Sequence, residues 1–410
     1  MLRPDHDVRQ HATHTRLLGY RAPDAAAPQG RPALDAIIVP ASRPARNLDH
    51  AITLARAARC RLVILCSRDT RVSEVYALLN SRSFPDATVV EIPPHYQHEF
   101  FRFETTEWIK REFPVRDSDL SMKRNVGLVL ARMLGWERIF FLDDDIRDLD
   151  AAALRETVSL LYSAHPMQQC YYSAGMSAVD FPDNSVVCHA RRAIGEFQDV
   201  FISGSALAVD CTVPFAFFPD TYNEDWLFFH QDVAESKLGS SGYTATQLRY
   251  DPFADPMRAA NEEFGDVIAE GLYALLDQGL GTEYASTRQY WQQFMSARKE
   301  LLDDIIERSD KAPRVVRENM KHAVNIARKC LAEIQPEMCV EYIAVWQNDL
   351  QRWEDRRDTL PRVDSMSRAL HELGLAQDLD HWNPLSSMLP GREVIGSCRC
   401  NTGEIRLLSG

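Results

Sequence analysis

Three carboxylates in a row, Asp143, Asp144 and Asp145, follow the apolar run of residues 139–142 in the stretch RIFFLDDDIRDLD. Like charges repel, and burying them costs energy unless they are paired or bound to a cation. Asp143 and Asp145, with one residue between them, can meet one divalent ion from a bend. Mg²⁺ or Mn²⁺ takes oxygen ligands and keeps positions open for phosphate. The plainer reading is an acidic turn capping the helix after Asp150. A second pair, Glu224 and Asp225, opens a helix in YNEDWLFF. The helix dipole keeps a carboxylate there ionised, and an ionised carboxylate in a cleft is what a hydroxyl nucleophile needs as general base. Taken alone, the pair also reads as ordinary capping acids. Lys123, Arg124 and Asn125 begin a helix just ahead of the first acids. They face phosphate or ribose, or they are a solvated helix start, although asparagine is a mediocre helix former. In ISGSALAVD, the small residues Ser203, Gly204 and Ser205 let a ligand approach the backbone, or mark a tight strand crossing.

The elements that position these groups follow from the pattern. LDAIIVPAS (residues 34–42), CRLVILCS (60–67) and ATVVEIP read as buried strands, separated by the helices NLDHAITLARAA and VSEVYALLNS. Such alternation predicts an open, mostly parallel α/β sheet. DLSMKRNVGLVLARMLGW (119–136) is the clearest helix, with Ser121 as its cap and Gly135 at its end. RIFFL is then a strand buried on both faces, and its carboxyl end is the edge where open α/β sheets bind ligands. Beyond Asp150 come a helix, AAALRETVSLLYSA, and three short strands, QCYYSAGM, SVVCHARR and VFISGSALAVD. The segment NEDWLFFHQDVAESKLGSSGY continues as an amphipathic helix, and YTATQLRYDPF is a last strand. From about Asn261 the pattern turns helical, with Pro313 and Pro336 at first-turn positions. The divisions are a loose leader over 1–32, an α/β domain over 33–260 with halves 33–150 and 151–260, a helical extension over 261–390 and a tail over 391–410.

The bulk composition narrows the function. The chain has 410 residues, with 46 Lys and Arg against 59 Asp and Glu, a formal charge of −13. An acidic protein is not a general nucleic-acid binder. The nine cysteines are irregularly spaced and make no disulfide framework. Cys398 and Cys400 form a lone C-x-C without the further ligands a zinc site needs. No apolar run reaches the length of a membrane helix, and the N-terminus has no secretory signal. A cytoplasmic protein is expected.

The order of these motifs resembles the GT-A glycosyltransferases, in particular the large inverting family 2 group. The features are a nucleotide-like strand start, a K-R-N helix, FLDDD, a small-residue strand and then NED. The likeness spans roughly residues 34–256. It implies a Rossmann-type, mostly parallel sheet, here with a helical C-terminal extension, and an Asp-x-Asp motif holding Mn²⁺ or Mg²⁺. By that resemblance Asp143 and Asp145 hold the ion, and Asp143 and Asp144 meet the sugar nucleotide. Lys123, Asn125, Gly204 and Ser205 line the donor pocket, while Pro40, Ser42, Arg43, Ser67 and Asp69 meet the nucleoside. Asp225 is the base, with Glu224 as its competitor. The partners are a nucleoside-diphosphate sugar and a small-molecule or glycan hydroxyl acceptor, in a possible homodimer. The loop PASRPARNL is Arg-rich where the group often has small and acidic residues, and the helical third lies outside the likeness.

Three rival readings share parts of this pattern, one of them a haloacid-dehalogenase-type phosphatase, whose Asp-x-Asp normally follows the first strand rather than one preceded by about 100 residues of α/β. A nucleotidyltransferase of similar fold normally has a glycine-rich phosphate loop after the first strand, and PASRPARNL has no glycine. A non-catalytic sugar-nucleotide binder would use the helical third to dock a partner.

Overall fold

The computed structural model describes residues 8–20, 34–113, 118–162, 170–179 and 185–376. Its strands are β1 (Gly19–Tyr20), β2 (Ala36–Ala41), β3 (Arg61–Cys66), β4 (Ala87–Glu91), β5 (Arg138–Leu142), β6 (Ile146–Arg147), β7 (Ser173–Val179), β8 (Ala206–Asp210) and β9 (Leu238–Gln247). In the first two thirds the helices are α1 (Asp49–Ala58), α2 (Val72–Ser81), α3 (Glu104–Glu112), α4 (Leu120–Leu134), α5 (Ala151–Ser159), α6 (Val186–Ala193), α7 (Glu224–Phe228) and α8 (His230–Ala234). The last third adds α9 (Met257–Leu276), α10 (Arg288–Glu307), α11 (Arg314–Glu333), α12 (Pro336–Thr359) and α13 (Met366–Glu372).

The strands form one sheet in the order β1-β9-β7-β8-β5-β2-β3-β4, with β6 paired to β9. β4, β3, β2 and β5 run parallel. β8 is antiparallel to both of its neighbours, β5 and β7. The chain builds outward from β2 through β3 to β4, then returns through α4 to place β5 on the other side of β2. The strand order therefore reverses between β2 and β5. In open α/β sheets a crevice opens at the carboxyl ends of such a pair. Ile38 pairs with Phe141, so the acids leave β5 about level with the end of β2.

Both sheet faces are covered, which is why these strands are apolar throughout. Ile38, Val63, Leu65 and Phe141 pack with Val126 and Val129 of α4 on one face. Ile37, Val39, Leu62, Ile64 and Phe140 pack with α1, α2 and α5 on the other. The helical third joins the α4 face. Trp353 of α12 donates from Nε1 to the Phe215 carbonyl at 2.9 Å. Asp349 of α12, fully buried, caps the start of α3 by accepting from the amides of Glu104 and Thr105 at 3.0 and 2.8 Å. The sequence boundary near residue 261 falls inside α9, and the chain up to Ala376 forms one compact unit. No helix among the described residues is long and apolar enough to cross a membrane.

Several local expectations need correction. SVVCHARR is helix α6, not a strand. Ser185 caps it through Oγ, accepting from the Cys188 amide, and Glu262 accepts the Val186 amide at 2.8 Å. Only residues 206–210 of VFISGSALAVD are strand, and LGSSGY opens β9 instead of ending a helix. The helix after NED is two short ones, α7 and α8. The cap of α4 is Asp119; the Ser121 hydroxyl instead donates to the Pro219 carbonyl at 2.9 Å. Residues 8–20 are no loose leader: β1 pairs in parallel with β9, and His14 is buried. Residues 391–410, with Cys398 and Cys400, lie outside the described residues.

Trp353→Ala removes a buried ring and its hydrogen bond, and a loss of about 3–5 kcal/mol is expected. Urea unfolding should show one cooperative transition at a lower midpoint. A split transition would mean that the helical third folds as a separate module.

Candidate functional site

A cavity of about 560 Å³ opens at the carboxyl ends of β2 and β5. One wall carries the acids. The chain turns sharply after β5, where the Ile146 amide donates to the Asp143 carbonyl at 3.2 Å and the Asp143 amide to the Ser205 carbonyl at 2.9 Å. Asp144 points back at β2. Its Oδ2 accepts from the amides of Ser42 and Arg43, both at 2.8 Å. Its Oδ1 accepts from Arg43 Nη1 at 2.5 Å. Asp145 pairs with Arg43 Nη2 at 2.8 Å and accepts from Gln247 Nε2 at 3.2 Å. Asp143 faces Arg124, whose Nη2 donates to both carboxylate oxygens at 3.1 Å.

Arg124 also donates to Glu224 through Nη1 at 2.8 Å. Asp225 beside it is held by backbone: Oδ2 accepts from the Gly204 amide at 2.6 Å and Oδ1 from the Trp226 amide at 2.8 Å. Asp143 and Glu224 are thus bridged by one guanidinium. Burial alone would lower the Arg124 pKa, but the charges of Asp143, Glu224 and Asp225 raise it above its ordinary value. Arg43 shows the same balance, burial against Asp145 and Asp144, with the acids prevailing.

Pro40, Ser42, Arg43, Lys123, Asp143, Asp144, Asp145, Glu224 and Asp225 all line this cavity. Lys123 does so with its donors engaged. Its Nζ reaches the Ala41 carbonyl at 2.7 Å, Ser67 Oγ at 2.6 Å and Asp119 at 3.1 Å. Burial lowers its pKa. It staples α4 to the ends of β2 and β3. Ser67 serves as an acceptor in that staple, and Asp69 is exposed on the loop after β3. Asn125 does not line the cavity. Its side chain donates to the Phe218 carbonyl and accepts the Phe218 amide, both at 2.8 Å, which is the reason for an asparagine inside a helix. Gly204 admits a protein group, since a Cβ there would lie 2.7 Å from the Arg124 guanidinium carbon. Ser205 acts through its carbonyl on the acid turn.

Among the described residues no group of three or more His, Cys, Asp or Glu is placed to hold a metal ion. Asp143 and Asp145 offer two carboxylates at the cavity. Two suit Mg²⁺ or Mn²⁺ when phosphate and water complete the shell, once Arg43 yields its contact to Asp145.

The far wall was not read from the sequence. It includes Thr13, His14, Asp199, Phe201, Trp226, Tyr250, Arg258 and Glu270. His14 lies between a carboxylate of α9 and one just after it, with Nδ1 2.6 Å from Asp277 and Nε2 3.1 Å from Glu270. Carboxylates inside the otherwise apolar stretch GDVIAEGLYALLDQ were the available signal, because a buried charge needs a partner. Comparison of the chain with protein-family models and with curated proteins finds no match.

Burial opposes a charge on His14, but hydrogen bonds to Asp277 and Glu270 and their charges raise its pKa to about 9. A raised folded-state value means stabilisation that is full below the unfolded value, about 6.5, and is lost as pH rises through about 9. The stability difference between wild type and His14→Gln should shrink by about 3 kcal/mol between pH 6 and pH 10. Urea titrations across that range check it; a constant difference would show that folding leaves the His14 pKa unshifted.

Proposed function

We propose that this chain is a glycosyltransferase that moves a sugar from a nucleoside-diphosphate sugar to a hydroxyl acceptor, by displacement with inversion. The observation that carries the reading is the cavity itself. The acid turn, at the point where strand order reverses, and the base candidate Asp225 line the same cavity, joined through Arg124 and the Gly204–Ser205 backbone. The donor diphosphate would lie at the β2–β5 crevice, near Ser42, Arg43 and the acid turn. Asp143 and Asp145 would share Mg²⁺ or Mn²⁺ with it, and such an ion neutralises the charge that develops on a departing diphosphate. Asp225 would take the acceptor proton. Its oxygens accept the Gly204 and Trp226 amides, which fix the carboxylate at the cavity. Glu224 is engaged by Arg124 and suits a positioning role.

The nucleotidyltransferase alternative fares worse. It needs free backbone amides after the first strand to cradle phosphates, and the amides of Ser42 and Arg43 are given to Asp144. We place the activity in the cytoplasm. The thiols of Cys60, Cys66 and Cys188 are free, and burial pushes each up to about 12, as expected of reduced core cysteines.

Two variants test this reading. Asp145→Ala should abolish the Mn²⁺-dependent thermal stabilisation given by nucleoside diphosphates such as UDP, GDP and ADP, while leaving the fold intact. Wild-type stabilisation that is indifferent to EDTA would overturn the metal role. Asp225→Asn should slow transfer by about 10²–10⁴-fold and keep nucleotide binding. Full activity in both Asp225→Asn and Glu224→Gln would remove the inverting mechanism, and absence of nucleotide binding in the wild type would favour another function altogether.

A further inference from the structure

The two walls of the cavity differ in chemistry. Both carry charged, hydrogen-bonded groups, and the far wall adds a cluster of aromatic rings. The far wall is built around Trp226, which follows Asp225 directly in sequence, is half-buried and lines the cavity. Its ring is fixed from three sides. His14 and Phe201 meet it edge to face, with centroids at 5.4 and 5.2 Å, and Tyr273 packs at 4.5 Å. The Trp226 carbonyl accepts from the Tyr273 hydroxyl at 3.2 Å, and its amide holds Asp225. One residue thus carries both the braced ring and the amide that holds Asp225.

Around the ring stand groups suited to hydroxyls. The Asp199 carboxylate accepts from Thr13 Oγ1 at 2.8 Å, and both residues line the cavity. Two of the cations of this wall, His14 and Arg258, are already committed. His14 is locked between Glu270 and Asp277. Arg258 is paired to Glu262 and lies 4.4 Å over the Tyr250 ring. Arg249 is exposed at the rim. A phosphorylated or carboxylated acceptor bound here would face Asp199 and Glu270 without a cation cluster to pair it, which costs free energy. A sugar ring matches the wall. Its C–H face is apolar and packs on an aromatic surface, and its edge of hydroxyls can donate to carboxylates.

We infer that the acceptor is an uncharged carbohydrate whose ring stacks on Trp226, which sets one of its hydroxyls at Asp225; this rests on the glycosyltransferase reading above. In the transfer, the acceptor oxygen bonds to the anomeric carbon of the donor and its proton passes to Asp225. The bond from the anomeric carbon to the diphosphate oxygen breaks, and its electron pair leaves with the nucleoside diphosphate. Trp226 positions the acceptor and takes no part in the proton transfer.

The test is binding to the full chain, read by saturation-transfer NMR. The probes are methyl glucosides, mannosides and galactosides, with glycerol 3-phosphate as the anionic comparison, each with and without UDP or GDP. At least one glycoside is expected to bind the wild type. Trp226→Ala should weaken it about tenfold or more, and Trp226→Phe should stay within about threefold. Nucleoside diphosphate affinity should be unchanged in both variants, which also shows that they fold. Glycosides that fail to bind the wild type, glycoside binding unchanged in Trp226→Ala, or glycerol 3-phosphate binding better than every glycoside would each overturn the inference. Trp226-dependent glycoside binding in a chain that binds no nucleoside diphosphate would uphold the carbohydrate site and overturn the transferase reading instead.

Discussion

Arg124 is the constraint on which the site is built. Its side chain is 2% exposed, and it sits between Asp143 at the end of β5 and Glu224 at the start of α7. A buried cation persists only when its charge is met, so the acid turn and the helix that carries Asp225 must both come to it. Other residues follow from that demand. Gly204 has no side chain because the guanidinium lies against it. The Gly204 amide, positioned there, is free to hold Asp225. Asn125, one residue further along α4, fixes Phe218, and the Phe218 ring lies 5.4 Å from the Arg124 guanidinium. Such a pair adds little net stability over an apolar substitute. Its effect is to fix how the two halves of the sheet meet.

A second organiser is α9, whose carboxylates each have an assignment. Glu262 holds the first amide of α6. Glu263 and Asp266 hold the fully buried Arg298 of α10 at 2.9 and 2.7 Å. Asp266 also accepts from Asn223 at 3.0 Å, one residue before α7. Glu270, with Asp277 just after the helix, holds His14. Gly265 lets the Tyr222 carbonyl approach, since a Cβ would meet that oxygen at 2.3 Å. The helix that begins the helical third therefore shapes the turn presenting Glu224 and Asp225. That third is part of the wall of the cavity.

How much of this was legible depended on whether the signal was local. Continuous apolar runs marked β2, β3 and β5 because strands buried on both faces have no polar alternation to confuse them. The acid triplet at the end of β5 and the NED turn were visible as charges where charge is costly. The reading of SVVCHARR as a strand failed because valines and a short span suit either element, and what decides for helix is a serine cap together with Glu262, far away in sequence. Gly204 and Asn125 were rightly singled out as unusual, yet the reasons are long-range partners that no spacing encodes. Lys123 looked like a phosphate ligand because its three acceptors, on two strands and a helix cap, are invisible to periodicity. The N-terminal strap was missed for the same reason: its fold depends on β9 and α9, more than two hundred residues away.

The two arginines of the acid wall have unequal freedom, and that inequality bears on how a charged ligand enters. Arg124 is sealed, and removing it leaves Asp143 and Glu224 facing each other without a counter-charge. Arg43 is 45% exposed on its side chain, on a flexible stem with water on one side. Its two contacts, to Asp144 and Asp145, are those of a solvated cation that can be exchanged at modest cost. Asp144 does not depend on it, because two backbone amides remain to hold that carboxylate. Asp145 also accepts from Gln247. A ligand bringing its own cation to this turn would therefore displace Arg43 from Asp145 first, and the displaced guanidinium would remain tethered at Ser42, at the level where the phosphate of that ligand would lie. The Arg-rich loop PASRPARNL thus supplies a half-exposed cation to the acids, and under the proposed reading the same cation would meet the donor diphosphate.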